Sequence, residues 1–320
     1  MRIIAVFALL LPLSLPLSVH AQTFGGVGTR AEGMGGAFVA VADDASAVYW
    51  NPAGIATGAT FDLQISAGKG SQRFVGAALP VLAATYYRTR QATGLATVSG
   101  SPDRQNEGSG EVQVRTLTTT NVGVTVVQTL VPGLVIGTTA RVVRGGVESF
   151  DPSTSSGSPR ARSRGDTRTT VDLDAGAMVS AWDVRFGLTA RNLRAPEFES
   201  GSGMVKLRRQ FRVGAALAPR ALPTGVHGPF TLAIDADLTT TPDVVLGDQR
   251  TVAAGGEYWL AKGLVGGRAG VRWSTLGDSR RAVSGGLTVR LPRSIHAEGQ
   301  VTKENESDEV QWTIGARVTF

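Results

Sequence analysis

Apolar and polar residues alternate along most of the chain from Ala59 onward. The clearest example is the C-terminal stretch VQWTIGARVTF, residues 310–320, where every second residue from Val310 to Phe320 is apolar and the residues between are polar or glycine. Successive side chains of a β-strand point to opposite faces, so this period predicts a strand with one apolar and one polar face. FTLAIDADLT at 230–239 repeats the scheme.

Fourteen such stretches follow one another and predict fourteen strands. Most have the length of about 9–11 residues that a tilted strand needs to cross a bilayer. The predicted strands lie near 59–68, 72–79, 81–90, 111–129, 134–147, 169–180, 184–193, 207–218, 229–239, 250–261, 263–274, 280–291, 293–304 and 307–320.

The connections between these strands alternate between short and long. Short ones lie around Pro80, 131–133, 181–183, 261–263 and 291–293, and long ones lie at 91–110, 148–168, 194–206 and 240–249. The connection 219–228 holds the place of a short one in this alternation but is longer than the others of that group. Outer-membrane barrels have short periplasmic turns, longer external loops and an even strand count. The pattern therefore predicts an all-β fold, a 14-stranded antiparallel transmembrane barrel of the bacterial outer membrane. A soluble β-sandwich is the alternative, although such a fold does not require short and long connections to alternate.

The N-terminus has the pattern of an export signal. Arg2 precedes an apolar run, and Val19-His20-Ala21 resembles a cleavage site. We predict a signal peptide over 1–21 with cleavage near Ala21, a periplasmic plug over 22–58 and a barrel over 59–320. The chain contains no cysteine, so an exported product depends on its core or on a membrane rather than on disulfides.

Composition narrows the function classes. The net charge is +6, and part of the excess sits in the arginine-rich stretch 151–168, which we interpret as a solvated loop, with an anionic surface sugar or lipid as the alternative ligand. Because the arginines are not interleaved with aromatic residues, nucleic-acid binding is not predicted. The few histidines lack metal-ligand spacing. We therefore predict no metal, no cofactor and no catalytic activity.

A barrel in lipid turns its apolar face outward, so the polar faces are predicted to line the lumen. Buried charges need water or a partner, which predicts a wet interior or Arg–carboxylate pairs across the barrel. The predicted lumen residues are Arg115, Arg141, Asp172, Asp174, Arg185, Arg191, Arg212, Asp235, Asp237, Glu257, Arg268, Arg272, Arg290, His296, Glu298 and Arg317.

Two further features concern the membrane. Trp182, Trp259, Trp273 and Trp312 lie near predicted strand ends, as in an interfacial aromatic girdle. The terminal Phe320 on an alternating last strand predicts recognition by the barrel assembly machinery, so the expected partners are that machinery and outer-membrane lipid.

The segment GTRAEGMGGAFVAVADDASAVYWNPAGIA, 28–56, precedes the first predicted strand. It matches neither the dinucleotide-binding nor the phosphate-loop glycine spacing. It closely resembles the N-terminal signature of the long-chain fatty-acid transporter superfamily of outer-membrane proteins, which includes aromatic-hydrocarbon porins and the PorV/PorQ branch of type IX secretion. LTARNLRAPEF and LRRQFRVGAALA, within 188–218, resemble the PorV-like branch more weakly.

The resemblance implies a 14-stranded barrel plugged by its N-terminal segment and a channel for small hydrophobic molecules. The PorV/PorQ alternative implies a non-enzymatic scaffold or shuttle for secreted proteins, and the charge-rich predicted lumen favours it. The motif residues expected to fix the plug are Arg30, Gly33, Met34, Gly35, Gly36, Asp43, Asp44, Trp50, Asn51 and Pro52.

Local chemistry suggests how this plug is built. Asp43 or Asp44 is expected to cap a short helix over 45–50 because aspartate is a strong N-cap. Pro52 is expected to end that helix and to push Asn51 towards extended geometry. Arg30 is expected to pair with a lumen carboxylate such as Asp172 or Asp235.

Overall fold

The computed structural model describes residues 26–69, 72–96, 112–150, 162–164, 166–200, 203–218, 230–241, 248–261, 263–277, 280–305 and 310–320. The predicted signal peptide, most of the arginine-rich loop and the 219–228 connection lie outside the described residues. In the part of the chain that is described, no helix is long and apolar enough to cross a membrane.

Strands account for most of the described chain. They are β1 (Asp62–Gly68), β2 (Arg73–Leu79), β3 (Leu82–Ala96), β4 (Val112–Val131), β5 (Leu134–Phe150), β6 (Arg162–Arg164), β7 (Arg168–Ala181), β8 (Val184–Arg191), β9 (Glu197–Ser200), β10 (Gly203–Lys206), β11 (Gln210–Leu217), β12 (Phe230–Asp237), β13 (Thr251–Leu260), β14 (Val265–Ser274), β15 (Arg281–Leu291), β16 (Ile295–Glu304) and β17 (Val310–Thr319).

Fourteen of these strands form one closed antiparallel barrel. Each pairs with its sequence neighbours, apart from β6, β9 and β10, and β1 closes the barrel against β17 with Asp62 opposite Thr319. Both ends of the barrel chain therefore lie at one rim, which is the periplasmic one in an outer-membrane barrel. The predicted fold class and the fourteen predicted strands are confirmed.

The barrel wall follows the alternation read from the sequence. On β4, Val122, Val124 and Val126 are exposed outward, whereas Asn121 and Thr125 between and beside them are buried. Outward apolar side chains suit lipid, which supplies no hydrogen bonds, and the backbone pairing of a closed barrel leaves no edge unsatisfied.

The N-terminal segment fills the barrel interior as a plug. It contains α1 (Thr29–Gly33), α2 (Ala47–Trp50) and a 3₁₀ turn over Pro52–Thr57. The predicted helix over 45–50 is shorter than expected, and the predicted cap was wrong, since Ser46 and neither Asp43 nor Asp44 stands at its N-cap position. The Asp44 carboxylate accepts hydrogen bonds from the Ser46 amide and hydroxyl at 2.9 and 2.5 Å. Asn51 is extended, as predicted.

Close approach of plug and wall depends on glycine at two wall positions. A Cβ on Gly270 of β14 would lie 2.1 Å from the Met34 carbonyl carbon, and one on Gly255 of β13 would lie 2.2 Å from the Met34 oxygen. Gly35 itself adopts a φ of 70°, a backbone conformation that residues with a side chain rarely adopt. The plug backbone therefore lies directly on the wall backbone here.

A small hairpin at the external end was not predicted. β9 and β10 pair with each other inside the stretch 194–206 that the sequence suggested was an irregular loop. Its Phe198 is fully buried and covers Gly145 of β5. The hairpin thus inserts into the external mouth and forms a second apolar cluster with the wall, made of Leu117, Val143, Val147, Phe198, Val205 and Leu207.

One tryptophan was placed on the wrong face. Trp259 shares the inward face of β13 with Glu257 and donates its indole N–H to that carboxylate at 2.9 Å, so it is not part of an outer girdle. It also covers Gly266 on the neighbouring strand. Trp182, in the turn after β7, and Trp312 on β17 are exposed.

Replacing Gly270 with valine is expected to unseat the plug. Overpacking a well-packed site costs about 1–3 kcal/mol, and here the obstacle is backbone, which cannot turn aside. We expect a lower thermal unfolding temperature in detergent and faster proteolysis of the N-terminal segment. Gly267→Val is the matched control, since a Cβ there meets nothing within 4 Å; equal behaviour of the two variants would contradict this packing.

Candidate functional site: the junction of plug and wall

The plug has two chemically different faces. α1 packs against β14, β15, β16 and β17, and the 3₁₀ turn over Pro52–Thr57 packs against β2, β4, β5 and β7. The first of these wall regions presents buried charges. The second presents apolar and small side chains next to the plug, and the buried charges of Arg141, Asp172 and Asp174 lie farther along β5 and β7.

On the charged side, Arg30 of α1 is the central residue. Its guanidinium makes a bidentate contact with Glu257 of β13, Nε to Oε2 at 2.8 Å and Nη2 to Oε1 at 2.9 Å, and also contacts Asp43 of the plug. Arg268 of β14 donates to the same Glu257 carboxylate at 2.8 Å. Paired, planar contacts of this kind are the strongest ion pairs in proteins.

These contacts continue into a closed circuit of alternating charge. Arg268 Nη2 lies 4.0 Å from Glu298 Oε1, and Arg317 Nε lies 3.7 Å from the same oxygen. Arg317 Nη1 lies 3.6 Å from Asp44 Oδ2, which is 3.7 Å from Arg30 Nη1. We call this circuit the ionic ring; its members are Arg30, Glu257, Arg268, Glu298, Arg317 and Asp44.

Burial and partners shift the pKa values of the plug groups in this ring. Burial lowers the pKa of Arg30, but Asp43 and Glu257 outweigh it, so the pKa lies well above its ordinary value. Burial raises the pKa of Asp44 despite Arg317 and Arg30. Burial also raises the pKa of Glu32, which accepts hydrogen bonds from Gln300 at 2.7 Å and Thr313 at 2.8 Å.

Other wall carboxylates hold the plug backbone. Asp235 of β12 accepts the amides of Phe38 and Val39, both at 2.8 Å. On the adjacent strand Arg212 donates to the Gly36 carbonyl at 3.1 Å and pairs with Asp237 at 2.6 Å. These contacts satisfy backbone groups of a segment that has little regular structure of its own.

A separate polar cluster belongs to the wall. Arg141 of β5 pairs with Asp172 and with Asp174, the latter at 2.9 Å, and donates to Asn121 at 2.6 Å. Arg191 approaches Asp174 at 3.9 Å. This polar belt is defined by Asn121, Arg141, Asp172, Asp174 and Arg191.

The other side of the plug is apolar and aromatic. Tyr49 packs edge-to-face against Trp50 and against Tyr87 of β3, with ring centroids 5.4 and 5.5 Å apart. The Arg191 guanidinium lies 3.6 Å from the Tyr49 ring centroid, a cation–π contact. The wall residues of this cluster on strands β2–β5 and β7 are Phe74, Ala78, Ala83, Tyr87, Val127, Val135 and Met178, and the small residues Ala216, Ala233 and Ala253 of β11–β13 also belong to it.

Most predicted site residues lie at these junctions. All ten plug-motif residues lie inside the barrel, Asp43 being half-buried and the others buried. Of the predicted lumen residues, Arg185 and Arg272 are half-buried and Arg290 is exposed at the periplasmic mouth, while the side chain of Arg115 lies outside the described residues. Those that are buried are Arg141, Asp172, Asp174, Arg191, Arg212, Asp235, Asp237, Glu257, Arg268, His296, Glu298 and Arg317.

The expected partners of Arg30 were wrong. Asp172 is taken by Arg141, and Asp235 accepts plug amides, so Arg30 pairs with Glu257 instead. Asp62, 3.8 Å from Arg317, was missed as a site residue. Alternation along β1 could have identified it, because Asp62 lies two residues before Gln64 and therefore shares its inward face.

Comparison with solved structures shows the fold. The chain is similar to a FadL homologue of Pseudomonas aeruginosa, with a TM-score of 0.62 and 11% identity over 95% of this chain and 100% of that one. It is also similar to the CymD monoaromatic hydrocarbon channel, with a TM-score of 0.58 and 11% identity over 92% of this chain and 98% of that one. A third similar structure is the Ralstonia pickettii toluene transporter TbuX, with a TM-score of 0.57 and 11% identity over 92% of this chain and 98% of that one.

Sequence comparison gives a family. The family model described as F plasmid transfer operon, TraF, protein matches residues 7–237. No curated protein matches the chain. The expected likeness to barrels of the fatty-acid transporter type is thus found at the level of fold, and the PorV/PorQ part of that expectation stays a prediction.

Arg30→Met is expected to destabilise the protein strongly. Removing one partner of a buried ion pair costs about 3–5 kcal/mol because the remaining charge is left uncompensated. We expect a clear drop in thermal unfolding temperature and a larger ionic conductance in planar bilayers. Arg30→Met combined with Glu257→Gln should recover part of the loss. Lys206→Met, which removes an exposed pair with Glu197, is the control, and an equal loss there would contradict the role of Arg30.

Proposed function

We propose a function for this chain, which belongs to the family described as F plasmid transfer operon, TraF, protein: it is an outer-membrane barrel channel for small hydrophobic molecules, closed by its N-terminal plug. The solved structures of similar fold include a monoaromatic hydrocarbon channel and a toluene transporter. Hydrophobic solutes do not dissolve in the polar sugar layer outside such a membrane, so a protein route has a physical purpose.

The apolar side of the plug carries this proposal. The sequence predicted a lumen rich in charge and poor in large apolar side chains, whereas the structure has an aromatic and aliphatic surface between the plug and strands β2–β5 and β7, away from the ionic ring. Binding pockets for small hydrophobic ligands are lined in this way. The predicted charge-rich lumen is therefore compatible with an apolar route along β2–β5 and β7.

A second apolar region lies farther along the same wall. Leu117 of β4 and Val143 and Val147 of β5 belong to the cluster under the external hairpin. Val127 and Val135, on the same two strands, belong to the plug cluster nearer the periplasm. A solute that entered beneath the hairpin would thus travel along one wall, past the polar belt, to the plug.

The plug must move for a solute to pass. The aromatic core of the plug is fully buried against the wall, so the described arrangement leaves no apolar surface free at this junction. The apolar contacts are non-directional and tolerate sliding, whereas the ionic ring fixes geometry. We infer that the plug stays anchored through Arg30 at Glu257 while its contacts with strands β2–β5 and β7 yield.

A disulfide between plug and wall tests whether this motion is needed. A Cβ on Gly76 would lie 3.1 Å from the Ala45 Cβ, near the ~3.5–4.5 Å of disulfides, provided that the Phe74 ring turns aside. Because the chain has no cysteine, Ala45→Cys with Gly76→Cys gives one possible bond. We expect cells expressing the oxidised variant to take up radiolabelled toluene at the rate of cells without the protein.

Reduction of the same variant should restore uptake, which makes the protein its own control. Ala45→Cys alone should respond to neither oxidant nor reductant. Equal uptake in the oxidised and reduced states would mean that the plug need not move at this contact. Absence of toluene uptake by the unmodified protein would contradict the proposed function itself.

Met178→Gln is expected to reduce uptake several-fold without unfolding the barrel. The side chain is buried on the apolar wall, and glutamine keeps its length but adds an amide that must stay hydrated or find a partner. Uptake of radiolabelled toluene and the heat-dependent gel mobility of the barrel measure the two effects. Ser284→Ala on the charged side is the control, and a matching loss of uptake there would argue against an apolar route.

A further inference from the structure

The outward face of strands β2, β3 and β5 carries arginine side chains on adjacent positions. Arg73 of β2 is directly opposite Arg88 of β3 in the strand register. Arg88 is also opposite Thr120 of β4, which in turn is opposite Arg144 of β5. A residue next to each arginine on its strand is buried on the lumen side, so the arginines point away from the lumen. Arg90 follows two residues after Arg88 and shares its face; we call these four arginines the arginine patch.

An apolar surface borders the arginine patch on its periplasmic side. Two residues nearer the periplasm, the outward row across the same four strands consists of Val75, Tyr86, Val122 and Val142. These side chains are 37–55% exposed, as lipid-facing residues of a barrel are. Because β2 runs from Arg73 towards the periplasmic rim, the patch lies at the external border of this apolar surface. In an outer-membrane barrel this is where the headgroups of the outer leaflet lie.

The patch has no anionic partner in the described part of the chain. Among the described residues, no ion pair or hydrogen bond engages its four side chains, and Arg88 Nε is buried without a hydrogen-bond partner. Residues directly opposite on antiparallel strands have Cα atoms about 4.5–5.5 Å apart, and like charges at such positions are destabilising. Arg280, also at the external end, is by contrast paired with Glu304 at 2.7 Å. The opposition of Arg73 and Arg88 therefore favours an anion from outside the chain.

The polar groups around the patch suit a phosphorylated sugar. Thr118 and Thr120 of β4 point outward between the arginines of β3 and β5, and a hydroxyl can donate to a phosphate or sugar oxygen. The planar guanidinium group matches phosphate with two parallel hydrogen bonds. Glu148, the outward carboxylate of β5, lies four residues beyond Arg144, about 13 Å farther from the lipid along the strand, so the patch itself holds only positive charge.

We propose that the arginine patch binds the phosphate groups of lipid A, the phosphorylated glycolipid of the outer leaflet, whose acyl chains lie along the adjacent apolar row. The arginines alone would suit any phosphate, but their position at the edge of a lipid-facing surface favours an amphipathic anion over a free one. The bound phosphates would bridge strands β2, β3 and β5 where the opposed arginines otherwise repel each other. This inference rests on the outer-membrane placement in the proposed function and is independent of the solute.

Native mass spectrometry of the full chain in detergent tests the site with defined lipids. Lipid A should bind the unmodified protein, whereas the same glycolipid without its phosphates should bind weakly. Arg73→Gln combined with Arg88→Gln and Arg144→Gln should weaken lipid A binding about tenfold or more, because the charge-assisted hydrogen bonds to phosphate are lost.

The matched control is Arg194→Gln combined with Arg290→Gln and Arg293→Gln, which removes three charges from exposed positions outside the patch. This control should bind lipid A as the unmodified protein does. Equal weakening in the two triple variants, or equal binding of the glycolipid with and without phosphates, would overturn the proposal. Displacement of lipid A by an equal concentration of inorganic phosphate would overturn the assignment to a glycolipid, since a free anion would then suffice.

Thermal unfolding in detergent gives a second measurement. A ligand that binds only the folded state raises the unfolding temperature, so lipid A should raise it in the unmodified and control proteins and much less in the patch variant. Heat-dependent gel mobility shows whether that variant is folded, and Arg88→Gln alone, which should show a reduced shift, replaces it if it is not. No effect of lipid A on the unmodified protein would overturn this proposal, whereas a lack of toluene uptake would contradict only the proposed function.

Discussion

The ionic ring is the interaction on which the closed state depends. Its members come from two parts of the chain, the plug and strands β13 to β17, and Arg30 and Glu257 are 227 positions apart in sequence. Neither part can bury its charges alone, because an isolated charge in a poorly polarisable interior is very costly. Seating of the plug and completion of this side of the lumen are therefore a single event. The ring can couple these two steps without adding much net stability. Its main effect is that every other position of the plug leaves buried charges without a partner and is therefore unfavourable.

The division of the lumen into two sides follows from that constraint. Because the ionic ring lies on one side of the plug, the other side is free to make apolar and aromatic contacts, in which Tyr49 packs against Tyr87 and under the Arg191 guanidinium. Directional ion pairs hold one face, whereas non-directional apolar contacts predominate on the other, where Asn51 also donates to the Ala177 carbonyl at 3.1 Å. A plug built in this way can be fixed in register and yet release one surface, which a plug packed by charge or by apolar contacts on all sides cannot do.

Sequence predicts the wall better than the junction because the two depend on different physics. Alternation is local, so the sequence of each barrel strand is enough to assign its inward and outward faces. Trp259 follows the same rule, because it lies two residues after the inward Glu257 and therefore shares its face. The partner of Arg30 is not local. It depends on where β13 stands around the barrel relative to α1, and several carboxylates share the inward parity. The external hairpin escaped notice because Phe198 and Val205 lie in a short polar stretch without a sustained period.

The same distinction explains how a chain only 11% identical to a solved relative keeps the fold, with a TM-score of 0.62. Outward positions need only be apolar, and the backbone hydrogen bonds of the barrel are the same for every side chain. Inward positions must match particular partners, as Gly270 matches the Met34 backbone and Asp235 matches the amides of Phe38 and Val39. A lipid-facing valine can thus be exchanged for leucine with little effect on the structure, while a change at Gly270, Glu257 or Arg30 requires compensation in a distant part of the chain. The specificity of the plug motif reflects these requirements, since most of its residues contact wall positions that cannot vary independently.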